Sequence, residues 1–132
     1  MVRLRLRRKG RRHYPVYDIV AVDQRQKRDG SFIERVGFFN PNNHPNTLQI
    51  DPDRAVYWLE VGAQPTEVVS KILGYEGILL RKHLKLKGKN QVEIEEAVKQ
   101  HKQNSLERYY RLKDRRKQKK IDAEKAKEEA EK

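Results

Sequence analysis

The chain has 132 residues, with 31 Lys and Arg against 19 Asp and Glu, giving a formal charge of +12 and a pI near 10. That length supports one small core with an appendage, and a charge so far from neutrality asks for a polyanionic partner, nucleic acid first. Zero Cys excludes disulfides, thiolate zinc sites and cysteine nucleophiles, and no apolar run approaches the roughly 18 residues of a membrane-spanning helix.

Val2, Leu4 and Leu6 alternate with Arg3, Arg5 and Arg7, the period-2 pattern of a strand with one apolar face and one guanidinium face. The N-terminus has no apolar stretch behind its basic residues, so no secretory signal is expected. Gly10 to Pro15 reads as a basic turn, and Tyr17 to Val22, with Ile19, Val20 and Val22, as a second strand that completes a hairpin. Asp23 to Ser31 is a basic loop ending in the turn-forming pair Asp29-Gly30, and Phe32 to Phe39 is a third strand with Gly37 as a bulge. Asn40 to Asn46 breaks regular structure before a short strand at Thr47 to Ile50.

Asp51-Pro52 is a helix start, because an Asp side chain can accept from orphan backbone N–H groups and Pro at the first position lacks only a donor that would be unused. This helix is expected to run to Val61, with Gly62 ending it, and a second from Glu67 to Leu73, closed by Gly74. Ala55, Tyr57, Trp58, Leu59, Val68, Val69, Ile72 and Leu73 are the expected apolar cover of the sheet. Ile78 to Leu84 fits a strand or a helical turn equally, since short apolar runs carry too little periodicity to decide. Lys85 to Asn90 resembles a linker. Beyond it the sequence favours helix over a sparse apolar stripe of Ile94, Val98, Tyr109 and Leu112, and from Asp114 it becomes a solvated helix or disorder. The expected fold class is α+β: a mostly antiparallel sheet of four or five strands, two short helices on it, and a charged C-terminal extension. Residues 1–84 form the folded domain in this reading and 85–132 the extension.

His13, His44, His83 and His101 are scattered without metal-ligand spacing, and the paired carboxylates Glu95-Glu96 and Glu128-Glu129 have no apolar neighbours to raise a pKa. The common glycine-rich phosphate loops and the nucleophile elbow are absent, so neither an enzyme, a cofactor nor a small-molecule substrate is expected. The informative feature is the N-terminus: Arg3, Arg5, Arg7, Arg8, Lys9, Arg11 and Arg12 crowd beside His13 and Tyr14 before any acid appears. Such cations repel one another unless phosphates lie among them, and Tyr14 adds a plane on which an RNA base can stack. Arg25, Lys27 and Arg28 make a second cluster, with Asp23 and Asp29 beside them as local partners. The alternative for both clusters is a solvated charged face. Tyr57 and Trp58 are expected to pack in the core rather than to stack on bases.

The ordered motifs Arg5-Leu6, Arg8, Gly10, Pro15, Tyr17, Ile19-Val20, Asp23, Arg25, Arg28-Asp29-Gly30, Ile33-Glu34, Gly37, Pro41, Arg54-Ala55 and Tyr57-Trp58-Leu59 resemble the bacterial S16 family of small-subunit ribosomal proteins, and Gly62-Ala63-Gln64-Pro65-Thr66 is the most diagnostic piece. The likeness covers about the first 80 residues; Asn40, Phe39 and Lys27 depart from the usual Asp, Tyr and Pro. It implies the same α+β fold and a non-catalytic ribosomal protein that binds small-subunit ribosomal RNA, lies beside other small-subunit proteins, and stabilises the folded RNA during assembly in a cytoplasmic or organellar ribosome. Arg5, Arg8, Arg25 and Arg28 match the family's basic positions, and Gly10, Asp29 and Gly30 shape the turns that present them. Two rivals from the residues alone are a free-standing RNA- or DNA-binding regulator and a phosphodiester-cleaving enzyme.

Overall fold

The computed structural model describes residues 1–131. Strands β1 (Val2–Arg11) and β2 (Tyr14–Asp23) form a hairpin whose antiparallel register runs unbroken from Val2 opposite Asp23 to Arg11 opposite Tyr14. The expected basic turn therefore shrinks to Arg12 and His13, because Gly10 and Pro15 face each other within the ladder. Strand β3 (Glu34–Asn40) pairs antiparallel with β2, and β4 (Thr47–Ile50) with β3. A two-residue strand, β5 (Gln64–Pro65), adds parallel to β1 on the far edge, giving the order β4-β3-β2-β1-β5.

The register explains which alternating residues become core. Leu4 lies opposite Ala21 and Leu6 opposite Ile19, so these four side chains share one face of the sheet. Helices α1 (Pro52–Glu60) and α2 (Glu67–Tyr75) supply the other half of that core with Ala55, Val56, Trp58, Leu59, Val69, Ile72 and Leu73. Of the expected cover, Tyr57 is half-exposed and Val68 exposed, while Val56, not among those expected, is buried. Asp51 caps α1, its Oδ1 accepting from the backbone N–H of Asp53 and Arg54 at 3.1 and 3.3 Å.

A bulge in β3 brings Gly37 opposite Ile19 and Arg35 opposite Val20, leaving Val36 as the extra residue. Gly37 is needed for closeness to β4: a Cβ there would stand 2.6 Å from the backbone oxygen of Gln49. The ambiguous run at Ile78 resolves as a third short helix, α3 (Ile78–Leu86), which buries Ile78. The remainder is one helix, α4 (Gln91–Ala130), of 40 residues. Its first turns sit against α2 and α3. Ile94 and Val98 are buried, His101 Nε2 donates to Gly74 O at 2.8 Å, and Lys102 pairs with Glu76 at 2.8 Å. Gly77, at φ +75°, permits this approach, since an added Cβ would lie 3.1 Å from Val98 Cγ1. Among the described residues, no helix is long and apolar enough to cross a membrane.

Candidate nucleic-acid interface

The side of the sheet away from the helices is where the basic alternants of β1 emerge. Arg3, Arg5, Arg7, Lys9 and Arg11 share it with Val22, Val20, Asp18, Val16 and Tyr14 of β2, their partners in register. Val20 and Val22 are nonetheless buried on this side, each about 1% exposed. The loop after β2 folds back over this side of the strands.

That fold-back is held by Arg5. Its guanidinium donates through Nη1 and Nη2 to Gln26 O at 3.2 Å, and through Nη2 to Lys27 O at 2.6 Å. The loop adds its own turns: Asp23 Oδ1 accepts from the Arg25 N–H at 2.9 Å, Gly30 N donates to Lys27 O, and Ile33 N returns to Ala21 O. Asp23 is thus spent on a backbone turn rather than on a neighbouring cation. Arg25, Lys27 and Arg28 stand exposed at the tip, with no ion pair among the described residues.

One acid lies inside the basic face. Asp18, 4% exposed, has Arg35 Nε at 2.9 Å and Lys9 Nζ at 3.2 Å from Oδ1. Neither approach has hydrogen-bond alignment at Oδ1, so the pairing is chiefly ionic. Phe38 lies below, with Lys9 and Arg35 at 5.5 and 6.0 Å from its ring centroid. Lys9 is therefore locally neutralised, whereas Arg3, Arg7, Arg11 and Arg12 have no carboxylate partner among the described residues. Aromatic rings hold two of them in place: Arg7 is 5.2 Å from the Phe32 centroid and Arg11 is 5.7 Å from that of Tyr14.

The sequence-expected residues thus divide by place. Arg3, Arg7, Lys9, Arg11 and Tyr14 lie along the outer face, Arg12 and His13 at the hairpin tip, and Arg25, Lys27 and Arg28 on the adjoining loop. Arg8 emerges on the opposite face, across from Tyr17, where its Nη2 reaches Arg11 O at 3.5 Å. Arg5 is committed to the loop. Two outer-face residues outside the sequence reading are Arg35 and Phe38; the β3 bulge, at Val36 beside the expected Gly37, sets their side.

On the helix side, Glu34 accepts from Arg54 Nε and Nη2 at 2.7 and 2.5 Å and from Trp58 Nε1 at 2.8 Å. The Arg54 hydrogen bond holds the Glu34 carboxyl below its ordinary value near 4.5, with partial burial pulling the other way and Trp58 adding to the lowering. Arg54 is in turn raised by the same bond and stacks on Tyr57 at 4.4 Å. This cluster ties α1 to β3 and occupies Trp58 structurally. No group of three metal-ligating side chains occurs among the described residues.

Comparison with known proteins agrees with this picture. The family model described as ribosomal protein S16 matches residues 8–66. A protein of Salinibacter ruber is 50% identical over 106 residues, covering 80% of this chain and 52% of the relative. One of Azobacteroides pseudotrichonymphae is 52% identical over 95 residues, covering 72% and 57%. One of Prosthecochloris aestuarii is 45% identical over 129 residues, covering 96% of each. All three are named small ribosomal subunit protein bS16. This chain spans just over half the length of the first two and nearly the whole of the third. With that degree of identity over nearly the whole of one relative, and the family model matching from the end of β1 through β5 with α1 between, the chain belongs to the ribosomal protein S16 family.

Proposed function

We propose that this chain is a structural, non-enzymatic constituent of the small ribosomal subunit, which binds small-subunit ribosomal RNA through the outer face and tip of its hairpin and stabilises the folded RNA during assembly. The observation that carries the reading is the row Arg3, Arg7, Arg11 and Arg12: cations without carboxylate partners among the described residues, fixed on a paired hairpin whose other face is core. A rigid sheet keeps these charges at set separations, so they engage phosphates already near one another and oppose the repulsion between RNA helices. Arg25, Lys27 and Arg28 extend the same face from a loop that Arg5 holds down. The A-form major groove is too narrow for these side chains, so phosphate position and helix shape are read rather than sequence. The names of the family's relatives support a place in the small ribosomal subunit, beside other small-subunit proteins.

The test is to replace Arg3, Arg7, Arg11 and Arg12 together by Gln and measure binding to transcribed small-subunit ribosomal RNA across a salt series. Loss of affinity, with a slope of log K against log salt shallower by about 0.7–0.9 for each phosphate contact removed, is expected. Unchanged affinity and slope would rule this face out. Sedimentation of tagged protein with the small subunit at low and high salt tests the placement: protein that stays at the top of the gradient even at low salt would favour the free RNA-binding regulator.

A further inference from the structure

Helix α4 continues well beyond the body it rests on. At about 1.5 Å per residue its 40 residues extend roughly 60 Å, and no described side chain after Val98 is fully buried. Its charge is also unevenly placed along that length. Residues 106–121 hold eight Lys and Arg against two acids, whereas the segments before and after it carry a slight acidic excess.

The same charge is uneven around the helix. At about 100° per residue, Ile94, Val98, His101, Ser105 and Tyr109 fall on one line, and with Ala97 beside it these are the residues of α4 that are wholly or partly buried. Within 106–121, the half of the helix centred on that line holds Arg108, Lys113, Arg115, Arg116, Lys119 and Lys120 and no acid. The opposite half holds Arg111 and Lys117 balanced by Glu107 and Asp114. All six inner cations are exposed and without an ion pair among the described residues. A helix adapted only to water would gain from spreading its acids among these cations as i, i+4 partners. Here the uncompensated charge occupies the side that continues the docking line, beyond the point where protein stops covering it.

That side is close to the hairpin tip. Tyr109, Leu112, Lys113 and Arg116 line a cleft of about 310 Å³ together with His44. The loop carrying His44 is tied to β2 by Asn42 Nδ2, which donates to Pro15 O at 2.7 Å, and Pro15 faces Gly10 three residues from His13 in the hairpin. The tip and the basic half of α4 therefore stand at one end of the molecule.

We propose that the inner half of α4, from Arg108 to Lys120, is a second RNA-binding surface that grips the phosphate backbone of a duplex segment laid against this end of the body. The proposal rests on the ribosomal RNA reading for its partner, but on different residues. Six cations on one side of a helix follow a phosphate backbone over about 18 Å without base contacts, and the hairpin tip meets the same RNA from the sheet.

The experiment uses the full chain and transcribed small-subunit ribosomal RNA. One variant replaces the six inner cations by Gln, a good helix former; a second replaces only Arg111 and Lys117; the third is the hairpin variant described above. Circular dichroism at 222 nm confirms that α4 persists in each. With three of the six cations engaged, the salt slope of the first variant becomes shallower by about 2–2.7, while the second stays within about 0.5 of the parent. Full retention of affinity and slope by the six-residue variant overturns the proposal, and if the hairpin variant loses binding alongside it, the ribosomal RNA reading survives. Equal loss per residue in the first two variants also overturns it, since charge would then act without regard to side. Loss in the six-residue variant with none in the hairpin variant would support the helix surface and overturn the hairpin one.

Discussion

Replacing Arg5 by Met separates two roles that a basic strand residue can have. The substitution keeps an unbranched stem over Val20 and removes only the guanidinium, which donates to the carbonyls of Gln26 and Lys27. A hydrogen bond to a charged donor contributes about 1.5–3 kcal/mol in mutational series, but both carbonyls are exposed, so water replaces part of what is lost. With two carbonyls released, the free protein is expected to lose about 1–2 kcal/mol in urea unfolding. Amide exchange at Gly30 and Ile33, whose N–H groups close the loop, should accelerate. Arg3→Met, on the same face with no such bonds, should fall within about 0.5 kcal/mol of the parent. If Arg5→Met left unfolding and exchange untouched while RNA binding fell, Arg5 would be a phosphate ligand, and the loop would owe its position to something else.

Gly37→Ala places a Cβ 2.6 Å from Gln49 O and 2.9 Å from Ile50 Cγ1, so β4 must move; a cost of about 1–3 kcal/mol is expected, read as a lower thermal midpoint, and an unchanged midpoint would contradict the close approach. The Glu34 carboxyl titrates below its ordinary value near 4.5 because Arg54 and Trp58 bond to its charged form. Its stabilisation is therefore fully present above that value and is lost as pH falls through the lower folded-state pKa. Glu34→Gln should accordingly be less stable than the parent at pH 7, with the gap narrowing as pH falls below 4.5, whereas a gap independent of pH would mean that packing rather than charge sets the effect.

Much of the architecture is legible in local residue choice. The alternation of Val2, Leu4 and Leu6 with arginines, the Asp51-Pro52 cap and the break at Gly62 each correspond to an observed feature, whereas α2 runs through Gly74 to Tyr75 and the left-handed glycine that follows it is Gly77. The parallel pairing of Gln64–Pro65 with β1 has no such signal, because two residues carry no period and their partner is sixty residues away. In Ile78–Leu86 the apolar run at its start is too short to choose between helix and strand, and packing against α1 and α4 accompanies the helical outcome. For the interface, composition locates the basic hairpin but cannot distribute its cations. Arg5 bonds a loop, Lys9 pairs with Asp18 and Arg8 turns to the other face, and each outcome depends on tertiary neighbours. The charge segregation on α4 was present in the sequence throughout, but it acquires a direction only once Ile94 and Val98 show which side meets the body.

The footing of α4 has a bearing on how this chain tolerates change. Its attachment is concentrated near Gly77, Val98 and His101, and every described residue beyond Tyr109 is exposed. The distal helix and the sheet are therefore separable in heredity as well as in space: insertions, deletions or drift past Tyr109 remove no core side chain. A lineage can lengthen, shorten or recharge this arm while the hairpin and its fold remain as they are.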